Sequence, residues 1–316
     1  MTDKFPVDFG FMLPQVFTEG PVDMTAVETV AVRAEQAGLH SLWTQAQVVG
    51  KADVLEPLTL HSYVAAITGR IRLGTSVLIV TEHTPVQLAK LVSSLDVISN
   101  GRVMVGLGMG APALRLRMGG FDMDRPVRRL IETADIMKAL FSDGPANYQG
   151  KIWQLHDVDM NPKPVQRPWP PIWLGGRHPD GLRRAVKHGT GWMGPGGAST
   201  ADFGAYVRQI RQFLEEADKD PAEFTIAKRV YLAVEDNRAQ AERRIRDRFE
   251  IYSKNPEKGT EVSVYGTAEQ VAEGIQEVID LGAHLVVLNP LYDFTGQQSA
   301  LFEIIGANGG GPGSGA

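Results

Sequence analysis

The feature that most constrains this chain is an alternation. Short apolar runs take turns with segments of helical period from one end to the other. The runs expected to form strands are Val7–Leu13, Ser41–Thr44, Ile71–Val80, Val103–Leu107, Ile172–Leu174, Trp192–Met193, Thr225–Val234 and His284–Leu288. The amphipathic stretches between them carry their own start and stop signals. Asp23 stands before MTAVETVAVRAEQ as an N-cap and Gly38 stops that helix. Pro85 opens PVQLAKLVSSLDVIS, which closes at Asn100-Gly101. Thr267-Ala-Glu-Gln270 reads as a capping box. Strict β–α alternation demands a parallel sheet with helical crossovers. Eight such units predict a closed (β/α)8 TIM barrel in preference to a doubly wound open sheet.

One stretch breaks the rhythm. Residues 142–171 are proline-rich towards their end and show strand-like alternation around Gln149–Leu155. They are expected to form an excursion before the fifth strand, a small hairpin plus an extended run. Asn255–Gly266 reads as a second, shorter loop. Residues 1–306 then make a single domain, and 307–316 a flexible tail or linker whose small residues bury no face. A content of 43% hydrophobic and 22% charged residues suits a globular protein with a large core. A net charge of −5 argues against a nucleic-acid partner. The absence of cysteine excludes disulfides and thiolate metal sites. No run suits a signal peptide or a membrane span, so a cytoplasmic protein without a membrane partner is expected.

In such a barrel, chemistry sits where strands end and βα loops begin. PPIWLGGR, Pro170 to Arg177, runs an apolar strand into two glycines and an arginine, and a helix follows. GWMGPGG, Gly191 to Gly197, repeats the pattern one strand later. Each turn alone is explained by backbone geometry. Together, on consecutive late strands, they read as the two sides of a phosphate cradle built from bare amides, with Gly175, Gly176, Arg177 and Gly194 at its centre. VGLGMGAP fails as a dinucleotide fingerprint, because Ala111 stands where the third glycine belongs. Gly106, Gly108 and Gly110 read instead as a floor for a planar ring. Glu82 and His83, at the end of the longest strand run, are candidate general acids, with a surface turn as the alternative. The seven histidines show no metal-ligand spacing, so no metal is expected, and His156, Asp157 and Asp159 read as solvated. Ser76 and Ser199 lack the setting of an acyl-transfer nucleophile.

These stretches together resemble the bacterial luciferase-like superfamily of barrel oxidoreductases. The blocks that carry the resemblance are Arg70–Gly110, Met118–Trp153, Asn161–Arg177 and Gly282–Pro290. MGGFDMDRP and KPVQRPWPPIWLGG are similar to the branch that uses the deazaflavin coenzyme F-420. The resemblance implies a flavin or deazaflavin ring at the C-terminal mouth, its phosphate held by the backbone around Gly175, Gly176, Arg177 and Gly194. It also implies a non-proline cis peptide at Ser76–Val77 under the ring. Many relatives place an acid and a histidine after the second-strand tryptophan; here those positions are Ala46 and Gln47. Some sugar-phosphate dehydrogenase relatives place a glutamate where this chain has Ala111. Losing three proton carriers together argues against alcohol oxidation, which needs a base for the hydroxyl proton. Hydride transfer from reduced F-420 to a small organic substrate survives, with Gln45 and Gln47 as hydrogen-bonding hands and Glu82, His83 or solvent giving the proton. An FMN-dependent monooxygenase and a cofactor-binding barrel without turnover are the alternatives. Arg115, Arg117 and Arg125 are candidates to receive the acidic F-420 tail, with a solvated face as the alternative and commoner fate of such arginines. Gln15, the loop from Gln45 to Glu56 and the excursion are expected to set selectivity. Relatives are often dimers, so a homodimer is expected.

Overall fold

A computed structural model describes residues 5–18, 20–48, 52–110 and 124–307. Its centre is a ring of parallel strands: β1 (Asp8–Met12), β2 (Ser41–Thr44), β3 (Arg72–Thr75, resuming at Leu78–Ile79), β4 (Val103–Gly108), β5 (Ile172–Gly175), β6 (Gly191–Gly194), β7 (Thr225–Val234) and β8 (Leu285–Pro290). Each strand pairs with the next in the chain, and β8 pairs with β1, Val286 opposite Phe9, to close the barrel. β4 pairs directly with β5, Gly106 opposite Trp173, so the excursion between them leaves the ring unbroken. All eight expected runs became strands. The architecture is the closed (β/α)8 barrel expected from the alternation.

The helices, in chain order, are α1 (Met24–Gln36), α2 (Pro57–Ile67), α3 (Pro85–Ile98), α4 (Pro126–Phe141), α5 (Pro179–His188), α6 (Thr200–Glu216), α7 (Arg238–Ser253), α8 (Pro256–Val262), α9 (Ala268–Asp280) and α10 (Phe294–Ile305). The Asp23 carboxylate accepts the Ala26 N–H at 3.0 Å, and the reciprocal Thr267–Gln270 box opens α9, as the sequence implied. Alternation along each strand divides the core in two. Outward residues such as Leu42, Leu73 and Val105 pack under the helices. Inward residues, among them Met12, Met104, Met193 and Val287, fill the barrel around Trp43 and Trp173, whose rings lie 5.4 Å apart. Gly10 and Gly74 make that filling possible, because a Cβ at either would sit 2.6 Å from Trp43.

The excursion is a hairpin, Ala146–Gln149 with Gln154–Val158, followed by an extended run, as expected. Two buried carboxylates fasten it. Glu132 accepts the backbone N–H groups of Lys151, Ile152 and Trp153 at 2.8, 3.1 and 3.0 Å. Asp96 accepts those of Val165 and Gln166 at 2.8 and 3.0 Å.

Three details differ from the sequence reading. Residues 255–266 are not a loop: Asn255 caps α8, and Ser263–Gly266 is a strand paired with Tyr231–Val234. The cause is the length of β7, which outruns its barrel neighbours and offers a fresh edge. Val16–Phe17 and Asp53–Val54 form a further short antiparallel pair at the mouth. Ala307, expected in the tail, packs into the core at 5% exposure; residues 308–316 lie outside the described residues.

Candidate functional site

The C-terminal rim divides into three neighbourhoods. At the ends of β3 and β4, the Ser76–Val77 peptide is cis, at the bond the resemblance implied. The glycines that follow along β4 pack closely against this bend. A Cβ on Gly106 would lie 2.0 Å from the Thr75 carbonyl oxygen, and one on Gly108 2.5 Å from Val77 Cγ2. Gly110, with φ +69°, faces Ile79 in the same way. These residues make room for the Thr75–Val77 bend, and the half-buried Ser76 and Val77 are what the mouth presents.

At the ends of β5 and β6 lie the two glycine turns. Gly175 and Gly176 are half-buried and Arg177 is exposed. Gly176 has φ +156°, and a Cβ there would face the Gly181 backbone at 3.4 Å. The contact is an ordinary one, and the positive φ is what favours glycine at this position. Gly194 is buried within β6, its Cβ position 2.9 Å from the Ala227 carbonyl, so the open part of the second turn begins at Pro195. A Cβ on Gly197 would meet nothing within 4 Å. Among the described residues no backbone acceptor meets the N–H of Arg177, Gly196 or Gly197. Lys228 fixes this turn from behind, donating to the Pro195 and Ala198 carbonyls at 2.7 and 2.8 Å. Burial pushes its ammonium down to about 7, and the neighbouring Arg229 charge adds to the shift.

Above β1, β2, β7 and β8 lies a cleft partly open to solvent, with a cavity of about 50 Å³. Gln15, expected to touch substrate, lines it but is committed to the backbone. Its amide nitrogen donates to the Gln45 and Leu55 carbonyls at 2.8 and 2.6 Å, and its oxygen accepts the Gln45 N–H at 2.8 Å. Gln15 thus sets the position of Gln45, which also lines the cleft. The Gln45 side-chain oxygen accepts from Arg229 Nη1 at 2.8 Å. Gln47 is half-buried in the same loop, outside the cleft lining. Arg229 was not singled out from the sequence. It donates to the Ser76 carbonyl at 3.2 Å and to the Tyr231 hydroxyl at 2.5 Å, while its Nε is buried without a partner. A Cβ on Gly196 would lie 2.9 Å from that Nε, so one guanidinium borders all three neighbourhoods.

Glu82 and His83 follow β3. Both Glu82 carboxylate oxygens are buried without a hydrogen-bond partner. Burial, with a smaller contribution from Glu56, pushes this carboxyl up to about 7. Burial pushes His83 down, and Glu56 partly opposes the shift. The two are brought near Glu56 and not into the cleft lining. Arg125 lines a shallow basic cleft with Arg128 and Lys151; Ala111, Arg115 and Arg117 lie outside the described residues. Among the described residues no three His, Asp or Glu side chains group as a metal site. No described helix is long and apolar enough to cross a membrane.

Known proteins carry related chains. The luciferase-like monooxygenase family pattern matches residues 7–285. Over 221 residues the chain is 27% identical to an F420-dependent glucose-6-phosphate dehydrogenase of Kineococcus radiotolerans, covering 67% of this chain and 64% of that protein. Over 159 residues it is 30% identical to the oxygenase component of a flavin-dependent trigonelline monooxygenase of Acinetobacter baylyi, 49% of this chain and 44% of that one. The chain thus spans less than half the length of this second relative. Among solved structures, an F420-dependent secondary alcohol dehydrogenase superposes with a TM-score of 0.82 at 19% identity, covering 95% of this chain and 98% of its own. A monooxygenase from Streptomyces bottropensis gives 0.75 at 22%, covering 95% and 97%.

Proposed function

The chain belongs to the luciferase-like monooxygenase family, and from that premise we propose that it is an oxidoreductase passing hydride between F-420 and a small organic substrate, acting as a reductase. One observation carries the reading: among the described residues, two glycine turns on successive strands leave the backbone amides of Arg177, Gly196 and Gly197 without a backbone acceptor, beside a cleft at the barrel mouth. Bare amides at the start of a helix suit an anion. The open space at Gly197, where a Cβ would meet nothing, fits the phosphate of a flavin or deazaflavin. F420-dependent relatives in sequence and in fold support the choice of coenzyme.

Bound there, F-420 supplies a two-electron hydride carrier, and this chain supplies position and protons. Gly176, Arg177, Gly196 and Gly197 hold the phosphate, and Lys228 keeps the second turn in place. Gln45, fixed by Gln15, presents its amide at the mouth. Ala46 and Gln47 provide no base to take an alcohol proton, which favours reduction over oxidation. Glu82 holds a proton near neutrality on a carboxyl with no competing partner, so it is the proton source we assign. FMN-dependent oxygenation is the second reading, favoured by the flavin-dependent and monooxygenase relatives.

Titrating the purified protein with F-420 and with FMN, side by side, tests the proposal. F-420 is expected to bind with micromolar or better affinity and to outcompete FMN. Clear preference for FMN transfers the protein to the second reading. Binding of neither removes the cofactor assignment.

A further inference from the structure

We propose that the cleft over β1, β2, β7 and β8 takes a small organic anion, a carboxylate on an apolar body, and that Arg229 holds its charged oxygens. The inference rests on the oxidoreductase reading only in calling this anion the substrate; the binding claim stands on the cleft itself.

Arg229 is 8% exposed and permanently charged. Its three hydrogen bonds go to a side-chain amide, a backbone carbonyl and a phenol, all of them neutral. No ion pair compensates it among the described residues. A guanidinium taken out of water without a counter-charge is costly, and proteins ordinarily supply one. Here the walls supply none: the described lining holds arginines and neutral groups, and no Asp or Glu. The Nε–H, buried with no acceptor, is a donor kept in reserve. A carboxylate in the cleft supplies the missing counter-charge, and charge-assisted hydrogen bonds to a guanidinium are the strong ones.

The rest of the ligand follows from the other walls. Leu13, Phe249, Leu291 and Phe294 are apolar and suit an alkyl or aromatic body. Placement supplies the connection to chemistry. Arg229 touches the Ser76 carbonyl and borders Gly196, so an anion held in the cleft beside it lies near both the cis-peptide bend and the second glycine turn.

The test compares benzoate with benzyl alcohol, an anion and a neutral molecule of similar shape, by calorimetric titration of the full chain. It is run without cofactor and again after saturation with whichever of F-420 or FMN binds. Benzoate is expected to bind at least tenfold tighter than benzyl alcohol. Arg229→Met should abolish that preference while leaving cofactor affinity within threefold. Arg229→Lys, which keeps charge and loses the fork, should restore part of it and guards against a variant that fails to fold. Equal affinity of the two probes overturns the proposal. So does a preference that survives Arg229→Met, or a loss in that variant confined to cofactor affinity. Failure of both cofactors to bind would remove the oxidoreductase reading and leave the anion preference readable in the cofactor-free arm.

Discussion

Arg102 and Arg229 are equally buried, each 8% exposed, and neither has a carboxylate within ion-pair distance among the described residues. They lie at opposite ends of the barrel. Arg102 precedes β4 on the bottom rim and spends every N–H it has. Its Nε donates to the Ser99 carbonyl at 2.6 Å. Nη1 donates to Thr68 Oγ1 and the Ile71 carbonyl, and Nη2 to the Ala65 and Thr68 carbonyls, at 2.9 to 3.0 Å. Arg229, near the mouth, makes three bonds and leaves two N–H groups unspent, the buried Nε–H among them. The carboxylates divide in the same way. Glu132 accepts three backbone N–H groups around the excursion, and Glu82 accepts none. Saturated groups tie elements together; unsaturated ones at a concave rim are what a ligand completes.

The largest effect expected from this contrast is on stability. Arg102→Met leaves five acceptors at the bottom rim without their donor, and the cost should be roughly 3–5 kcal/mol in urea unfolding. Arg229→Met removes an uncompensated charge beside a cleft that admits water, so its cost should stay within about 1 kcal/mol. Equal losses in the two variants would erase the distinction between the ends of the barrel.

The contrast also marks what could be read from the sequence. Strands, caps and the excursion hairpin were legible because each rests on local periodicity or on residues three or four apart. The strand at Ser263–Gly266 was not, because its pairing depends on how far β7 extends beyond its neighbours. In TIAKRVYLAV the alternation shows that Lys228 and Arg229 face opposite ways, but not which faces inward. Only the closed barrel turns Lys228 towards the Pro195 turn and Arg229 towards Gln45 and Ser76. The glycines of β4 were visible as a group, and their true neighbour, the bend at Thr75–Val77, lies some thirty residues earlier.

A smaller effect is expected at Glu82. Its folded carboxyl titrates at about 7, above its ordinary value of 4.5. The folded state therefore keeps a proton that the unfolded chain releases first. The stability this contributes is full below about pH 4.5 and is lost as pH rises through 7. Glu82→Gln should flatten the fall in melting temperature between pH 5 and 8. It should also remove the pH dependence of turnover on that limb. A wild-type slope unchanged in the variant would return Glu82 to the solvated groups.

The smallest perturbation is the most selective. Gly197→Ala adds a methyl group where nothing in the protein lies within 4 Å, so stability should change by less than about 0.5 kcal/mol. Gly196→Ala is its control for crowding, since that methyl would press on Arg229 Nε and the Tyr231 ring at 2.9 Å. If an anionic stem occupies the space over the second turn, Gly197→Ala should weaken F-420 or FMN binding about tenfold with the fold untouched. Benzoate binding at Arg229 should change less than threefold, because it is Gly196 and not Gly197 that borders the guanidinium. Unchanged cofactor affinity would place the phosphate elsewhere, and the open amides of Gly196 and Gly197 would then be an ordinary solvated turn.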